Sequence, residues 1–222
     1  MKKICQRTEQ LQECIAKHYF TNSQNFLAWK NGITIKTARK IAERYYPINR
    51  QFPLALASVI SKTIDLDERL LLIENLYEEH GKLNKSDDHT ILFGNFVKAI
   101  GLKPDNILSK EMHPVTNELL DYFKLSCFEA NENLAGISFL FSFESHFSII
   151  CKAISDGLKL KNKIVEDDYN FFTIHGECDV EHAKKLNQIL AHIDVSDKEW
   201  LNILKQIETS SKLIFNLFDS IK

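Results

Sequence analysis

Residues that break helices are scarce in this sequence. Seven glycines and four prolines occur among 222 residues, well below the roughly 12% of an average protein. Apolar residues recur at helical spacing between these breakers, and no long segment alternates with a period of two. A β-sandwich or barrel needs many more turns than this chain can make. We therefore expect an all-α bundle of about seven to eight helices, with residues 1–222 forming a single domain.

Capping residues and helix breakers predict where the helices begin and end. Asp65 and Asp67 open one helix, Pro114 begins another, and Ser196 opens the last. Ser86 or Asp87 is the expected N-cap of the fourth helix. The segments predicted as helical are Ile4 to Trp29, Thr34 to Ile60 with bends at Pro47 and Pro53, Asp65 to His80, Asp88 to Ile100, Pro114 to Phe128, Glu132 to Ser155, Glu166 to His192, and Lys198 to Ile221.

Charge and cysteine content restrict the partners and the compartment. The formal net charge is -2 and the pI is about 6.5, so no strong positive field attracts nucleic acid. No apolar run approaches the roughly 18 residues of a membrane span, and the polar N-terminus is unlike a secretory signal. Five scattered cysteines without a C-x-x-C pair suit free thiols in a reducing compartment. We expect a cytoplasmic protein that binds neither nucleic acid nor membranes.

One stripe of the predicted seventh helix carries polar groups among apolar residues. His175, Asp179 and His182 are spaced i, i+4 and i+7, which places them on one face of a helix. Phe171 and Leu186 continue the same stripe, so the three polar side chains are expected to be buried. Burial of two imidazoles and a carboxylate needs a compensating partner. A bound cation or a hydrogen-bonded pair in the core would supply it, and the spacing alone does not decide between them.

Other predicted helices also place ionisable side chains on apolar faces. Glu144 lies within an apolar stripe, unless its charge turns to the rim of the helix. Glu79 shares the stripe of Asn75, whereas Glu78 falls on the solvated side of that helix. His89 begins the fourth helix above a run of apolar residues, although a histidine in a first turn is often exposed.

These residues form a set of nitrogen and oxygen donors without thiolate. Such a set suits iron or manganese better than structural zinc, and six donors can hold two metal ions with one bridging carboxylate. We expect two iron ions, or iron plus manganese, with O2 as co-substrate, together with a small-molecule substrate and an external electron donor. The six candidate metal ligands are Glu79, His89, Glu144, His175, Asp179 and His182.

The segments that carry these residues resemble a known family. NLYEEHG, AGISFLFSFES and DYNFFTIHGECDVEHA are similar to segments of the heme-oxygenase-like diiron oxidases and oxygenases. This family shares a superfamily with the TenA thiaminases and the pyrroloquinoline-quinone synthase. The resemblance extends over nearly the whole chain from about Phe26. It implies a heme-oxygenase-like helical bundle, the same six metal ligands, and the homodimer that is common in the superfamily.

Within that family, the segment WKNGITIKTARKIAERYYPINRQFP is similar to the subgroup that includes the chlamydial death-domain-associating protein. This resemblance implies synthesis of para-aminobenzoate from one of the protein's own tyrosines. The chain departs from the subgroup at Phe26 and Phe143, where tyrosines are expected. If a tyrosine is consumed here, Tyr45, Tyr46 or Tyr169 would have to serve. Otherwise Tyr46 and Tyr169 are expected to form hydrogen bonds or to pack beside the site.

Alternatives within the same fold explain fewer of these residues. A heme oxygenase would use a histidine of the first helix such as His18, and this leaves the six-residue set unexplained. A TenA thiaminase needs a nucleophilic cysteine, whereas Cys127, Cys151 and Cys178 are interpreted as small buried residues. A metal-free interaction protein would leave six ionisable groups in the interior without a partner. The rings expected to exclude water from the site are those of Phe139, Phe143, Phe147, Phe171 and Phe172.

Overall fold

The computed structural model describes residues 2–161 and 164–221, and these residues fold almost entirely into helices. They contain no β-strand and ten α-helices. The all-α prediction is confirmed, but the expectation of about seven to eight helices is too low. In chain order the helices are α1 (Lys2–Ala16), α2 (Gln24–Lys30), α3 (Ile35–Lys62), α4 (Leu66–Glu79), α5 (His89–Ala99), α6 (Pro104–Leu108), α7 (Pro114–Lys124), α8 (Asn133–Lys161), α9 (Glu166–His192) and α10 (Asp197–Asp219).

Two local features account for the additional helices. The predicted first helix is divided by a 3-10 turn, Phe20–Asn22. The Ser23 hydroxyl then accepts the Asn25 N–H at 3.0 Å and begins α2. Because Phe20 is fully buried, the apolar spacing continues across the turn and hides the break. The second feature is the single turn of α6, which begins at Pro104.

Several predicted boundaries agree with the structure. Helix α9 has the predicted bounds, and the Asp65 carboxylate caps α4 by accepting the Glu68 N–H at 3.0 Å. Ser196 and Glu199 form a capping box at the start of α10. Helix α3 remains one helix through Pro47 and Pro53.

Two predicted boundaries are wrong. Asp88, and neither Ser86 nor Asp87, caps α5, because its carboxylate reaches two backbone N–H groups of the first turn. Helix α8 does not end before Gly157 but continues to Lys161. Here glycine serves packing, since a Cβ at position 157 would lie 2.3 Å from the Trp29 carbonyl oxygen.

Helix α8 lies at the centre of the bundle and packs against α2, α3, α9 and α10. Among the described residues it is the one helix long and apolar enough to cross a membrane by length and composition alone. The expectation that no segment is this apolar therefore does not hold for α8. In the structure 78% of its apolar window is buried inside the protein. Helices that are apolar on all sides occur in the cores of large bundles as well as in membranes.

Candidate metal centre

Four helices bring the six candidate ligands together in the interior. The side chains come from the end of α4, the start of α5, the middle of α8 and one face of α9. Each residue is at most 4% exposed. They form two groups, which we call the first cluster (Glu79, His89 and His175) and the second cluster (Glu144, Asp179 and His182).

The first cluster joins α4, α5 and α9. Its three potential ligand atoms all lie within 4.8 Å of one another. The Glu79 Oε2 and His89 Nδ1 atoms are 3.1 Å apart, and the rings of His89 and His175 meet with their centroids 4.5 Å apart. One carboxylate and two imidazoles therefore converge at one point.

The second cluster joins α8 and α9. The His182 Nδ1 atom lies 2.9 Å from Glu144 Oε2 and 3.8 Å from Asp179 Oδ1. Asp179 also links the clusters, because its Oδ1 accepts a hydrogen bond from His175 Nδ1 at 2.9 Å. The two clusters are thus direct neighbours, with Asp179 between them.

Several ligand atoms are buried without a hydrogen-bond partner among the described residues. Leaving such atoms unpaired costs free energy, and a cation bound to them would remove this cost. The donor set of nitrogen and oxygen atoms fits iron or manganese. The residues therefore fit a metal centre. The atoms without a hydrogen bond are Glu79 Oε1, His89 Nδ1 and His175 Nε2 in the first cluster, and Glu144 Oε2 and His182 Nδ1 in the second. Of these, His89 Nδ1, Glu144 Oε2 and His182 Nδ1 have the ion-pair contacts given above.

In both clusters the charges of the carboxylates and of the imidazoles that face them influence each other's pKa values. Burial opposes ionisation of Glu79, but His89, together with His175 and His182, lowers the pKa of Glu79 to about 2. Burial likewise opposes protonation of His182, yet Glu144 and Asp179 raise the pKa of His182 to about 10. The clusters thus hold carboxylate charge that a bound cation would balance when the imidazoles are neutral.

Three further side chains contact the clusters. The Asn75 amide donates to Glu144 Oε1 at 2.7 Å, and Glu78 Oε2 pairs with His182 Nε2 at 2.7 Å. The Cys178 thiol donates to Asp179 Oδ1 at 3.4 Å, so Cys178 is not simply a small apolar residue of the core.

Sequence reasoning missed the contact of Glu78. Its side chain is only 27% exposed, less than expected for the solvated side of α4, and it reaches His182 on α9. Glu79, by contrast, is 3% exposed on the stripe it shares with Asn75. The helical spacing of these glutamates gave their faces, but it could not show that α9 passes beside Glu78.

The two predicted tyrosines do not enter the clusters. Tyr46 is buried with its ring stacked 6.1 Å from that of Phe93, and Tyr169 is buried where the backbone of α9 departs from helical angles. Among the described residues, neither forms a hydrogen bond with a cluster residue. The proposed packing role of both residues remains a prediction.

Tyr45 lies nearer to the clusters through the aromatic core. Its ring centroid is 4.6 Å from that of Phe147 and 6.1 Å from that of Phe171. Both phenylalanines also contact the His175 ring, at 5.4 and 4.3 Å. The pKa of Tyr45 is raised well above its ordinary value by burial, with contributions from Cys151 and Glu79. The phenol is therefore within electrostatic range of the first cluster.

Comparison with known proteins identifies the family. Residues 39–212 match the family described as iron-containing redox enzymes. The chain is 26% identical over 214 residues to a 4-aminobenzoate synthase of Chlamydia trachomatis serovar D, covering 96% of this chain and 90% of that protein. It is 25% identical over 154 residues to a 4-chloro-allylglycine synthase of Streptantibioticus cattleyicolor, covering 69% and 58%.

A solved structure supports the fold. A TenA homolog from Pseudomonas syringae pv. tomato superimposes with a TM-score of 0.77 at 12% identity, covering 97% of this chain and 90% of that one. At this identity the similarity concerns the fold alone. The family match spans most of the chain and includes all six clustered residues. The chain therefore belongs to the iron-containing redox enzyme family with a heme-oxygenase-like fold.

Proposed function

We propose that this protein is a non-heme oxidoreductase that holds two iron ions, or iron plus manganese, and uses O2 to oxidise a small organic substrate. The carrying observation is the pair of adjacent buried clusters in which five ligand atoms have no hydrogen bond among the described residues. Membership of the iron-containing redox enzyme family supports the choice of metal. Two bound redox-active ions would supply electrons for the reduction of O2.

The protein's own residues have separate tasks in this proposal. Glu79, His89 and His175 hold one ion, and Glu144, Asp179 and His182 hold the other. Asn75 orients Glu144 by a hydrogen bond. The rings of Phe147 and Phe171 cover His175 and exclude water from the first cluster.

Metal stoichiometry tests the proposal. After anaerobic loading with Fe(II), we expect about two ions per chain, because each cluster supplies three protein ligands. His175→Gln and His182→Gln should each lower the stoichiometry by about one ion, because each removes one imidazole from one cluster. His192→Gln is the matched control, since His192 is an exposed histidine at the end of the same helix. Fewer than one ion per chain in the unaltered protein would contradict the proposal and favour a metal-free interaction protein.

The position of Tyr45 favours a second candidate function, synthesis of para-aminobenzoate from the protein's own tyrosine. Relatives named 4-aminobenzoate synthase support this candidate, although Phe26 and Phe143 replace the expected tyrosines. Aerobic incubation with Fe(II) and a reductant, followed by peptide mass spectrometry, tests it. We expect a modified peptide at Tyr45 and its loss in Tyr45→Phe, whereas Tyr46→Phe, the adjacent control, should retain it. Unmodified Tyr45 after aerobic incubation of a metal-loaded protein would exclude Tyr45 as the source, and if Tyr46 and Tyr169 were also unmodified, this function would be excluded and an external substrate would remain.

A further inference from the structure

A short loop connects two ligands of the first cluster. Glu79 is the last residue of α4 and His89 is the first residue of α5. Residues 80–88 join them, and the two side chains meet at 3.1 Å. The position of one ligand relative to the other therefore depends on how this loop closes.

The backbone of the loop is strained. Gly81, Lys82 and Leu83 have φ values of +60°, +53° and +68°, a left-handed conformation that costs free energy at residues other than glycine. Leu83 is 81% exposed, so burial of its side chain does not repay this cost. Other contacts must hold the loop in place.

One carboxylate ties the two ends of the loop together. Asp88 Oδ2 pairs with His80 Nδ1 at 2.8 Å, and His80 is the C-cap of α4. The other carboxylate oxygen, Oδ1, accepts the Thr90 N–H at 2.9 Å and the Ile91 N–H at 3.3 Å, which caps α5. Asp88 thus holds the C-terminus of α4 against the N-terminus of α5, one residue from each ligand.

We propose that the hydrogen bond between His80 and Asp88 is a latch that positions Glu79 and His89 for metal binding. Neither latch residue is a ligand; both act by fixing the neighbouring ligand. This inference rests on the proposed function, because it takes the first cluster to be a metal site. The second cluster takes its ligands from α8 and α9 and touches α4 only through the supporting residues Asn75 and Glu78, so opening the latch should affect it much less than the first.

Anaerobic titration with Co(II), followed by visible absorption, tests the latch. His175→Gln and His182→Gln assign the two binding steps to their clusters. His80→Ala and Asp88→Ser should weaken Co(II) binding at the first cluster by about 10- to 100-fold, as for other residues that orient metal ligands. Serine is chosen because it still caps a helix. Binding at the second cluster should weaken much less than binding at the first in both variants.

Matched variants separate positioning from general damage. Asp87→Ser is the control for Asp88→Ser, because the contacts of the Asp87 carboxylate with the described part of the chain are to Asn84 and Ser86 of the same loop. His80→Asn should restore most of the lost affinity, since its amide N–H can replace the imidazole Nδ1 donor. Wild-type affinity at the first cluster in both His80→Ala and Asp88→Ser would overturn the proposal, and so would failure of His80→Asn to restore binding.

Hydrogen exchange of the metal-free protein gives a readout that does not depend on metal binding. In His80→Ala and Asp88→Ser, amides in the last turn of α4 should exchange about tenfold faster than in the unaltered protein, whereas amides of α8 should not. If the unaltered protein binds no Co(II), the proposed function is contradicted. Hydrogen exchange then tests by itself whether the bond between His80 and Asp88 holds the end of α4 in place. Unchanged exchange rates of the α4 amides in both variants would overturn the proposed latch.

Discussion

Each buried ionisable side chain of the two clusters lies against a group of opposite charge or a hydrogen-bond partner. His182 shows this most clearly, because it pairs with Glu78 through Nε2 while Nδ1 faces Glu144. A carboxylate on the outer nitrogen fixes the ring orientation and raises the basicity of the nitrogen that binds a metal. Glu78 should therefore act on the second cluster through His182.

Glu78→Ala should weaken metal binding at the second cluster by about 10- to 100-fold and leave the first cluster nearly unchanged. The reason is the loss of the contact that holds His182. Anaerobic Co(II) titration measures both sites. Glu74→Ala is the control, since the exposed Glu74 lies on the same helix and pairs with the partly buried Lys185 of α9. Equal affinities of Glu78→Ala and Glu74→Ala at the second cluster would refute this role.

His146 has no comparable partner. It is 1% exposed on α8, and neither ring nitrogen has a hydrogen-bond partner among the described residues. Its ring lies 5.8 Å from that of Tyr19. Burial, with a small contribution from His18, lowers the pKa of His146 from 6.5 to about 3. The folded protein therefore keeps this imidazole neutral where the unfolded chain would protonate it.

His146→Leu should leave stability at pH 7 within about 1 kcal/mol of the unaltered protein, because no hydrogen bond is lost. Between the unfolded pKa of 6.5 and the folded pKa of about 3, protonation favours the unfolded chain, so His146 removes stability as the pH falls. The variant should lose less stability between pH 7 and pH 5. Urea unfolding at both pH values measures the difference, and identical losses would contradict the argument.

Among the secondary-structure elements, the sequence predicts where a helix forms better than it predicts where a helix is broken or ends. The bounds of α9 follow from its uninterrupted periodicity, and Asp65 and Ser196 cap α4 and α10 as expected. Gly157 was expected to end a helix because glycine commonly does so. Here it lies inside α8, where its carbonyl oxygen accepts the Ile33 N–H at 2.9 Å. A glycine needed for close packing and one that ends a helix look the same in the sequence.

Gly157→Ala should therefore destabilise the protein by about 1–3 kcal/mol. The gain in helix propensity, up to about 1 kcal/mol, does not offset a Cβ placed 2.3 Å from the Trp29 carbonyl oxygen. Gly176→Ala on α9 is the control, because its nearest neighbouring atom would be 3.5 Å away. We expect it to be neutral or stabilising in urea unfolding. Equal changes in the free energy of unfolding for the two substitutions would show that the close contact between position 157 and Trp29 of α2 does not destabilise Gly157→Ala.

Across the whole molecule, the helices that carry the candidate ligands differ in how extensively they pack against other helices. Helix α8 is central, whereas α4 packs mainly on α3 and leaves one apolar stripe at the surface. That stripe lies opposite the face that carries Glu79. The residues of the stripe are Leu66, Leu70, Ile73 and Tyr77, each at least 43% exposed.

Without metal, the amides of α4 should exchange faster with solvent than those of α8, because fewer buried contacts hold them. Saturation with Fe(II) under anaerobic conditions should slow exchange in α4 and raise the free energy of unfolding, by about 2.7 kcal/mol for each site that is filled at 100 times its dissociation constant. Hydrogen exchange and urea unfolding measure these effects. Equal protection of α4 and α8 in the metal-free protein would contradict this view of α4.

Helical periodicity is local, so the sequence alone predicted most of the helices, their buried faces and the set of six candidate ligands, but it missed the turn at Phe20–Asn22 and helix α6. It placed His175, Asp179 and His182 on one stripe, because their spacing along one helix decides this. Only the tertiary structure decided that Glu79 and His89 meet His175 while Glu144 meets His182. It also placed Tyr45, rather than Tyr46, beside the rings that cover His175. These pairings depend on which helices touch and in what register, and side-chain packing between distant segments sets both.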